Sequence, residues 1–168
     1  MPERPARCYR YFDTPPYTRK EYIKGIPQPK VTKFTYGNVK GDFAVTVRLV
    51  SLEYGQIRHN AIESARLAAT RYLSKKLSET QYHFQICIYP HHVLRENRMM
   101  AFAGADRLQD GMRRAFGKPA GTAARVKPMQ TIFMARVNPE HVEIAKEALR
   151  RSSTKLAMPC RIIIETAK

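Results

Sequence analysis

Two passages in which period-two apolar runs flank a helical stripe constrain this chain more than anything else in it. Phe43 to Leu52 (FAVTVRLVSL) alternates, with Phe43, Val45, Val47 and Leu49 on one face, the pattern of a half-buried strand. Asn60 follows with Glu63 three residues on, the capping-box spacing, and predicts a helix running to about Leu77. Ile62, Ala65, Ala69, Tyr72 and Leu73 form its apolar stripe, while Arg71, Ser74 and Lys75 lie away from it. Tyr82 to Tyr89 (YHFQICIY) returns as a strand, with Tyr82, Phe84, Ile86 and Ile88 on one face and Pro90 ending it. The second passage repeats the order. Thr131 to Val137 is a strand, and Asn138 caps a second helix with Pro139 at its first position, where a missing N–H costs nothing. Glu140, Glu143 and Glu147 lie toward its start and Arg150 and Arg151 at its end, as the helix dipole favours. Cys160 to Glu165 is the last strand. Two helices burying their stripes on one face of a mixed, mainly antiparallel sheet make an α+β two-layer sandwich. No residue-level repeat relates the two passages.

Between them lies Arg98 to Arg125, RMMAFAGADRLQDGMRRAFGKPAGTAAR, introduced by His91 to Arg95. Gly104, Gly111, Gly117, Gly121 and Pro119 punctuate it, and Arg98, Arg107, Arg113, Arg114, Lys118 and Arg125 face only Asp106 and Asp110. Met99, Phe102, Leu108, Met112 and Phe116 are interleaved with these charges. Most connections in compact domains are about four to six residues long, and longer ones are usually functional or disordered. A basic, partly apolar loop over 98–127 suits insertion into an RNA surface.

Residues 1–40 read as an extension of another kind. They hold Pro2, Pro5, Pro15, Pro16, Pro27 and Pro29 of the chain's 11 prolines, which exclude a regular helix or a central strand. Arg4, Arg7, Arg10, Arg19, Lys20 and Lys24 alternate there with Tyr9, Tyr11, Phe12, Tyr17 and Tyr22. Arginine with tyrosine offers phosphate contacts and base stacking, so this segment is expected to order on RNA. The chain thus divides into an extended basic segment, 1–40, and one α+β domain, 41–168, with its internal loop.

Charge names the class of partner. Thirty Lys and Arg against 14 Asp and Glu leave a formal net charge of +16, an excess that points to a polyanion. With no apolar run of about 18 residues and no long basic amphipathic helix, a membrane is the weaker partner. The start, MPERPARCYRYFD, has no apolar core and is not a secretory signal. Cys8, Cys87 and Cys160 form no CxxC pair, so neither a zinc ribbon nor a disulfide framework is indicated; reduced thiols in the cytosol are expected, with Cys87 packed in a strand.

Catalytic motifs fail in turn. Gly111 and Gly117-Lys118 have five residues between the glycines where a P-loop has four, and Pro119 stands where Ser or Thr would hold Mg²⁺. His91-His92 is no HExxH, and neighbours on an extended segment point to opposite sides. Asp106 and Asp110 are simpler as partners for nearby arginines, and GxSxG is missing. The β-α-β-β-α-β order lacks the aromatic strand signature of RNA-recognition sheets. No cofactor is implied. An RNA-modifying enzyme with a basic substrate loop is the alternative to a structural RNA-binding protein.

AGADRLQDGMRRAFGKPAGTAARV, Ala103 to Val126, closely resembles the most characteristic segment of the universal "L sixteen" family of large-subunit ribosomal proteins, in its archaeal and eukaryotic "L ten e" branch. RPARCYRY (Arg4 to Tyr11), PYTRKEYIKGIP (Pro16 to Pro27), YPHHVLRENRM (Tyr89 to Met99) and EALRR (Glu147 to Arg151) match the same branch in order. Eukaryotic members continue further, so the end at Lys168 suggests an archaeal member. The resemblance implies a hammerhead-like α+β fold and a non-enzymatic structural role in the large subunit of the cytoplasmic ribosome. Its implied partners are large-subunit rRNA, the 5S rRNA region, neighbouring ribosomal proteins and tRNA near the acceptor arm. It further implies that the central loop points to the peptidyl-transferase centre and supports translation and subunit maturation. The expected RNA-binding residues are Arg4, Arg7, Arg10, Arg19, Lys20, Lys24, Arg98, Arg107, Arg113, Arg114, Lys118, Arg125 and Lys127. No special role is assigned to His91.

Overall fold

A computed structural model describes residues 4–97 and 115–166. Its strands are β1 (Thr35–Gly37), β2 (Val45–Ser51), β3 (Gly55–Arg58), β4 (Tyr82–Ile86), β5 (His92–Glu96), β6 (Lys118–Val126), β7 (Thr131–Val137) and β8 (Cys160–Thr166). The helices are α1 (His59–Lys76) and α2 (Val142–Ser153). Five strands form one sheet in the order β1-β4-β7-β2-β8, and three form a second, β3-β6-β5. Every strand pair among the described residues is antiparallel.

The α+β class and the helical stripes stand. Val45, Val47 and Leu49 are buried, and Phe84 of β4 stacks on Phe133 of β7 at 5.6 Å between centroids. Each such ring contributes about 1.5–3 kcal/mol on burial. Ile62, Ala65, Ala69 and Leu73 bury the inner face of α1; Ala145, Ala148 and Leu149 bury that of α2. The facing alanines bring the helices together, and Ser152 Oγ, itself buried, donates to Ala65 O at 2.9 Å. α2 packs on β2, β7 and β8, while α1 reaches β4 and also β3 and β6, so one helix spans both sheets.

Several local expectations need correction. The stretch 118–126, read as loop, is strand β6, and the lead-in at His92–Glu96 is its partner β5. Glu96 pairs with Lys118, so the long excursion is the connection of a hairpin whose two ends lie side by side. Gly117 closes that base with φ +77°, where an added Cβ would sit 2.5 Å from the Glu96 carbonyl carbon. Asn60 does not cap α1: the helix begins at His59 after Arg58, and Asn60 Oδ1 accepts from the next amide, Ala61, at 2.9 Å. Pro139 opens a 3-10 turn, Pro139–His141, ahead of α2, and the Asn138 side chain makes no cap bond. β4 ends at Ile86, three residues early, and Cys87 is exposed instead of packed. Thr35–Gly37, inside the proline-rich segment, adds to the sheet as an edge strand, the one strand position proline-rich flanks tolerate.

Candidate nucleic-acid interface

The three-stranded sheet and the N-terminal segment build one surface together. At the β3 edge, the Gln56 amide donates to Arg10 O at 3.0 Å and Gln56 Nε2 to Tyr9 O at 2.9 Å. At the β5 edge, the Val93 amide donates to Tyr17 O at 3.0 Å, and the Tyr17 amide donates to His92 Nδ1 at 2.8 Å. Residues 9–17 therefore cross from one edge of the sheet to the other as a strap. Both edges gain partners for backbone groups that an open sheet would leave unpaired.

Arg125, on the central strand β6, holds the middle of the strap. Its guanidinium lies over the Phe12 ring at 4.2 Å from the centroid, donates to Thr14 O, and reaches Gln56 Oε1 at 3.4 Å. Desolvation by burial lowers its pKa. Arg95 does similar work at the far end. It stacks over Phe116 at 3.5 Å and over Tyr17 at 4.9 Å, where the two rings meet edge to face at 5.8 Å. Arg58 lies over Tyr9 at 5.7 Å and donates to Arg4 O at 2.8 Å. Tyr9 OH bonds the Glu96 carboxylate, and Arg10 pairs with Glu53.

The thirteen expected RNA-binding residues, named above from the sequence, divide on this geometry. Arg7, Arg19, Lys24, Lys118 and Lys127 are exposed, and their side chains make no hydrogen bond or ion pair with any described residue. Lys20 is exposed and lies 5.5 Å from the Tyr89 ring centroid. Arg10 and Arg125 are turned inward to hold the strap, and Arg4 splits between solvent and a 3.5 Å contact with Asn97 O. Arg98, Arg107, Arg113 and Arg114 lie outside the described residues. Sequence inspection missed Arg58, Arg95, Gln56 and His92, because their partners are remote in the chain. Their place opposite aromatic-rich residues 9–17 would have been the only signal.

His92 carries the clearest electrostatic perturbation. Burial first, then the positive neighbours Arg125, His91 and Arg95, push its pKa down to about 4. Nδ1 must keep its lone pair to accept from Tyr17, so the bonded ring is neutral with its proton on Nε2. The unfolded chain, at the ordinary 6.5, takes up a proton that the folded ring refuses. The contribution of His92 to stability is thus complete above pH 6.5 and is lost as pH falls toward 4. An NMR titration of the imidazole should have its midpoint near 4, and one near 6.5 would show that the Tyr17–His92 bond does not form.

Chemically, this arrangement can neutralise phosphates and offer ring faces to bases. Among the described residues, no group of His, Cys, Asp and Glu could hold a metal ion, and no helix is long and apolar enough to cross a membrane. Fold and surface together define a small basic α+β protein with exposed cations displayed on an arginine-clamped scaffold. Residues 12–163 match the family model described as ribosomal protein L16p/L10e. Proteins named large ribosomal subunit protein uL16 are similar over the whole chain. That of Staphylothermus marinus is 61% identical over 168 residues, covering 100% of this chain and 97% of its own. Those of Saccharolobus solfataricus and Hyperthermus butylicus are 60% and 58% identical over 98% and 96% of this chain and 93% of each relative. The chain belongs to the ribosomal protein L16p/L10e family. It is a ribosomal protein and not an enzyme, which sets aside the RNA-modifying alternative.

Proposed function

We propose that this chain is a structural constituent of the large subunit of the cytoplasmic ribosome. There it binds rRNA by neutralising phosphates, and carries its 97–117 excursion toward the peptidyl-transferase centre and the tRNA acceptor arm. Near-complete coverage of proteins named for the large ribosomal subunit is the observation that supports this most. Arg7, Arg19, Lys24, Lys118 and Lys127, exposed and unpaired among the described residues, supply the means. The segment 1–40, with its strap at residues 9–17, and the domain 41–168 act together as one RNA-facing protein, beside the 5S rRNA region and neighbouring ribosomal proteins. Arg98, Arg107, Arg113 and Arg114 are the cations the excursion brings to the tRNA path, with Lys118 at its base.

Phosphate contacts position a protein without reading sequence. Replacing Arg113, Arg114 and Lys118 together by alanine should therefore leave the protein in the particle while tRNA handling and subunit maturation fall several-fold. Translation rates and subunit profiles from reconstituted particles measure this. Wild-type values would defeat the role of these three residues and leave the family assignment standing.

A further inference from the structure

The helical layer carries a second basic feature, remote from the strap. The C-terminal half of α1 and the end of α2 enclose an open groove of about 490 Å³, lined by Ala68, Arg71, Tyr72, Lys75, Arg151, Thr154 and Lys155. The side chains of Arg71, Lys75 and Lys155 make no hydrogen bond or ion pair with any described residue, and all three are exposed. Arg151 lies over the Tyr72 ring at 4.1 Å from the centroid, steadied by Nε donating to Glu147 at 2.9 Å. No carboxylate lines the groove; Glu147, the nearest on α2, is engaged by Arg150 and Arg151.

We propose that this groove is a second RNA-backbone site, so that the protein clamps two separate RNA segments, one at the strap and one between its helices. The proposal takes from the function proposed above only the class of ligand. Arg71 and Lys75 are one helical turn apart on one wall; Arg151, in the last turn of α2, and Lys155, just past its end, line the other. Arg71 and Lys75 are thus spaced by about 6 Å along the groove. Two facing rows of cations make a continuous track for a chain of phosphates. An acidic protein segment is the poorer fit. Acidic motifs are recognised by clusters of arginines, and of the four cations lining the groove only Arg71 and Arg151 are arginines, the second already bonded to Glu147 and stacked on Tyr72. The groove lies roughly 20 Å along α1 from the end that follows β3, at 1.5 Å per residue, too far for one phosphate contact to serve both places.

Two effects compete for these charges. Cations in the last turn of a helix also offset its dipole, for typically 0.3–1 kcal/mol each, with no ligand at all. Amide NMR on the full chain separates the two when a short oligouridylate is titrated in, and then an oligoglutamate of equal length. With RNA, the amides of 68–75 and 151–155 should shift as a group. In the variant Arg71→Gln, Lys75→Gln, Lys155→Gln, that group's slope of log affinity against log salt should fall by about two, at about 0.7 per phosphate on a single strand. Shifts at residues 9–17 should persist. The groove site is overturned if those amides stay still while the strap responds, or if the triple variant leaves their shifts and slope unchanged. It is equally overturned if oligoglutamate moves them at lower concentration than RNA, which would make the partner an acidic protein. Silence of both regions toward RNA would remove the rRNA-binding function as well.

Discussion

Raising monovalent salt from about 50 to about 200 mM should weaken binding of the isolated protein to large-subunit rRNA by about three to five decades. The cause is counterion release: every phosphate neutralised by Lys or Arg frees condensed cations, and that gain shrinks as bulk salt rises. The net charge of +16 sets the sign of the effect, but the structure sets the count of cations that matters. Arg7, Arg19, Lys20, Lys24, Lys118 and Lys127 are on the surface, and Arg98, Arg107, Arg113 and Arg114 belong to the excursion. That gives roughly six to ten phosphates, depending on how many engage at once, and a slope of about −0.9 for each on a duplex. Arg10 and Arg125 add little, because their guanidiniums already have partners. Apolar or neutral hydrogen-bonded recognition would respond weakly to salt. Filter binding across a salt series decides between them, and a flat plot would sink the proposed rRNA surface.

Four strands of the five-stranded sheet and both helices were legible because their residues carry period as well as polarity; β1, inside the proline-rich segment, was not. Val45, Val47 and Leu49, or Tyr82, Phe84 and Ile86, can bury one face only as strands, and Ile62, Ala65, Ala69 and Leu73 only as a helix. The second sheet had no such signature. β3 is four residues long, and β6 reads KPAGTAARV, with small residues where a strand normally has branched ones. These segments are strands because tertiary pairing holds them, which is how weak β-propensity is commonly overridden. Pro119 adds to the disguise, yet it sits beside a register shift at Leu94/Arg95, where a missing N–H is tolerated. The site was legible in charge and illegible in allocation. Nothing near Arg125 says that its partners are Gln56, 69 positions away, and Thr14, 111 positions away. Residues 4–34 posed the same problem. Prolines deny them helix and central strand, but they do not prevent single backbone hydrogen bonds to another sheet's edges, and Tyr9, Arg10 and Tyr17 make those.

Replacing Arg125 by alanine should release the strap while leaving the slope of log RNA affinity against log salt nearly unchanged. The guanidinium faces Phe12, Thr14 and Gln56 at once, and one planar, multi-donor group makes all three contacts. Hydrogen bonds to a charged donor are worth about 1.5–3 kcal/mol, and a stacked guanidinium about 0.5–1 kcal/mol or more. At about 1.4 kcal/mol per decade, amide exchange at Tyr17, Gln56 and Val93 should quicken by roughly tenfold to a hundredfold. The core amides of β2, β4 and β7 should keep their protection, since Arg125 touches neither α2 nor the five-stranded sheet in any contact described above. Arg125→Lys distinguishes clamp from phosphate ligand. Lysine keeps the charge but loses the flat fork, so a clamp fails in both variants, whereas a phosphate contact survives in the lysine form. If strap exchange is unchanged in Arg125→Ala and the salt slope instead falls by about one, then Arg125 serves RNA directly, as its place in a basic stretch first suggests. Fast strap exchange in both variants with an unchanged slope assigns it to the fold. The strap then depends on Arg125 to stay across the sheet, and the cations that follow it, Arg19, Lys20 and Lys24, depend on the strap for their position.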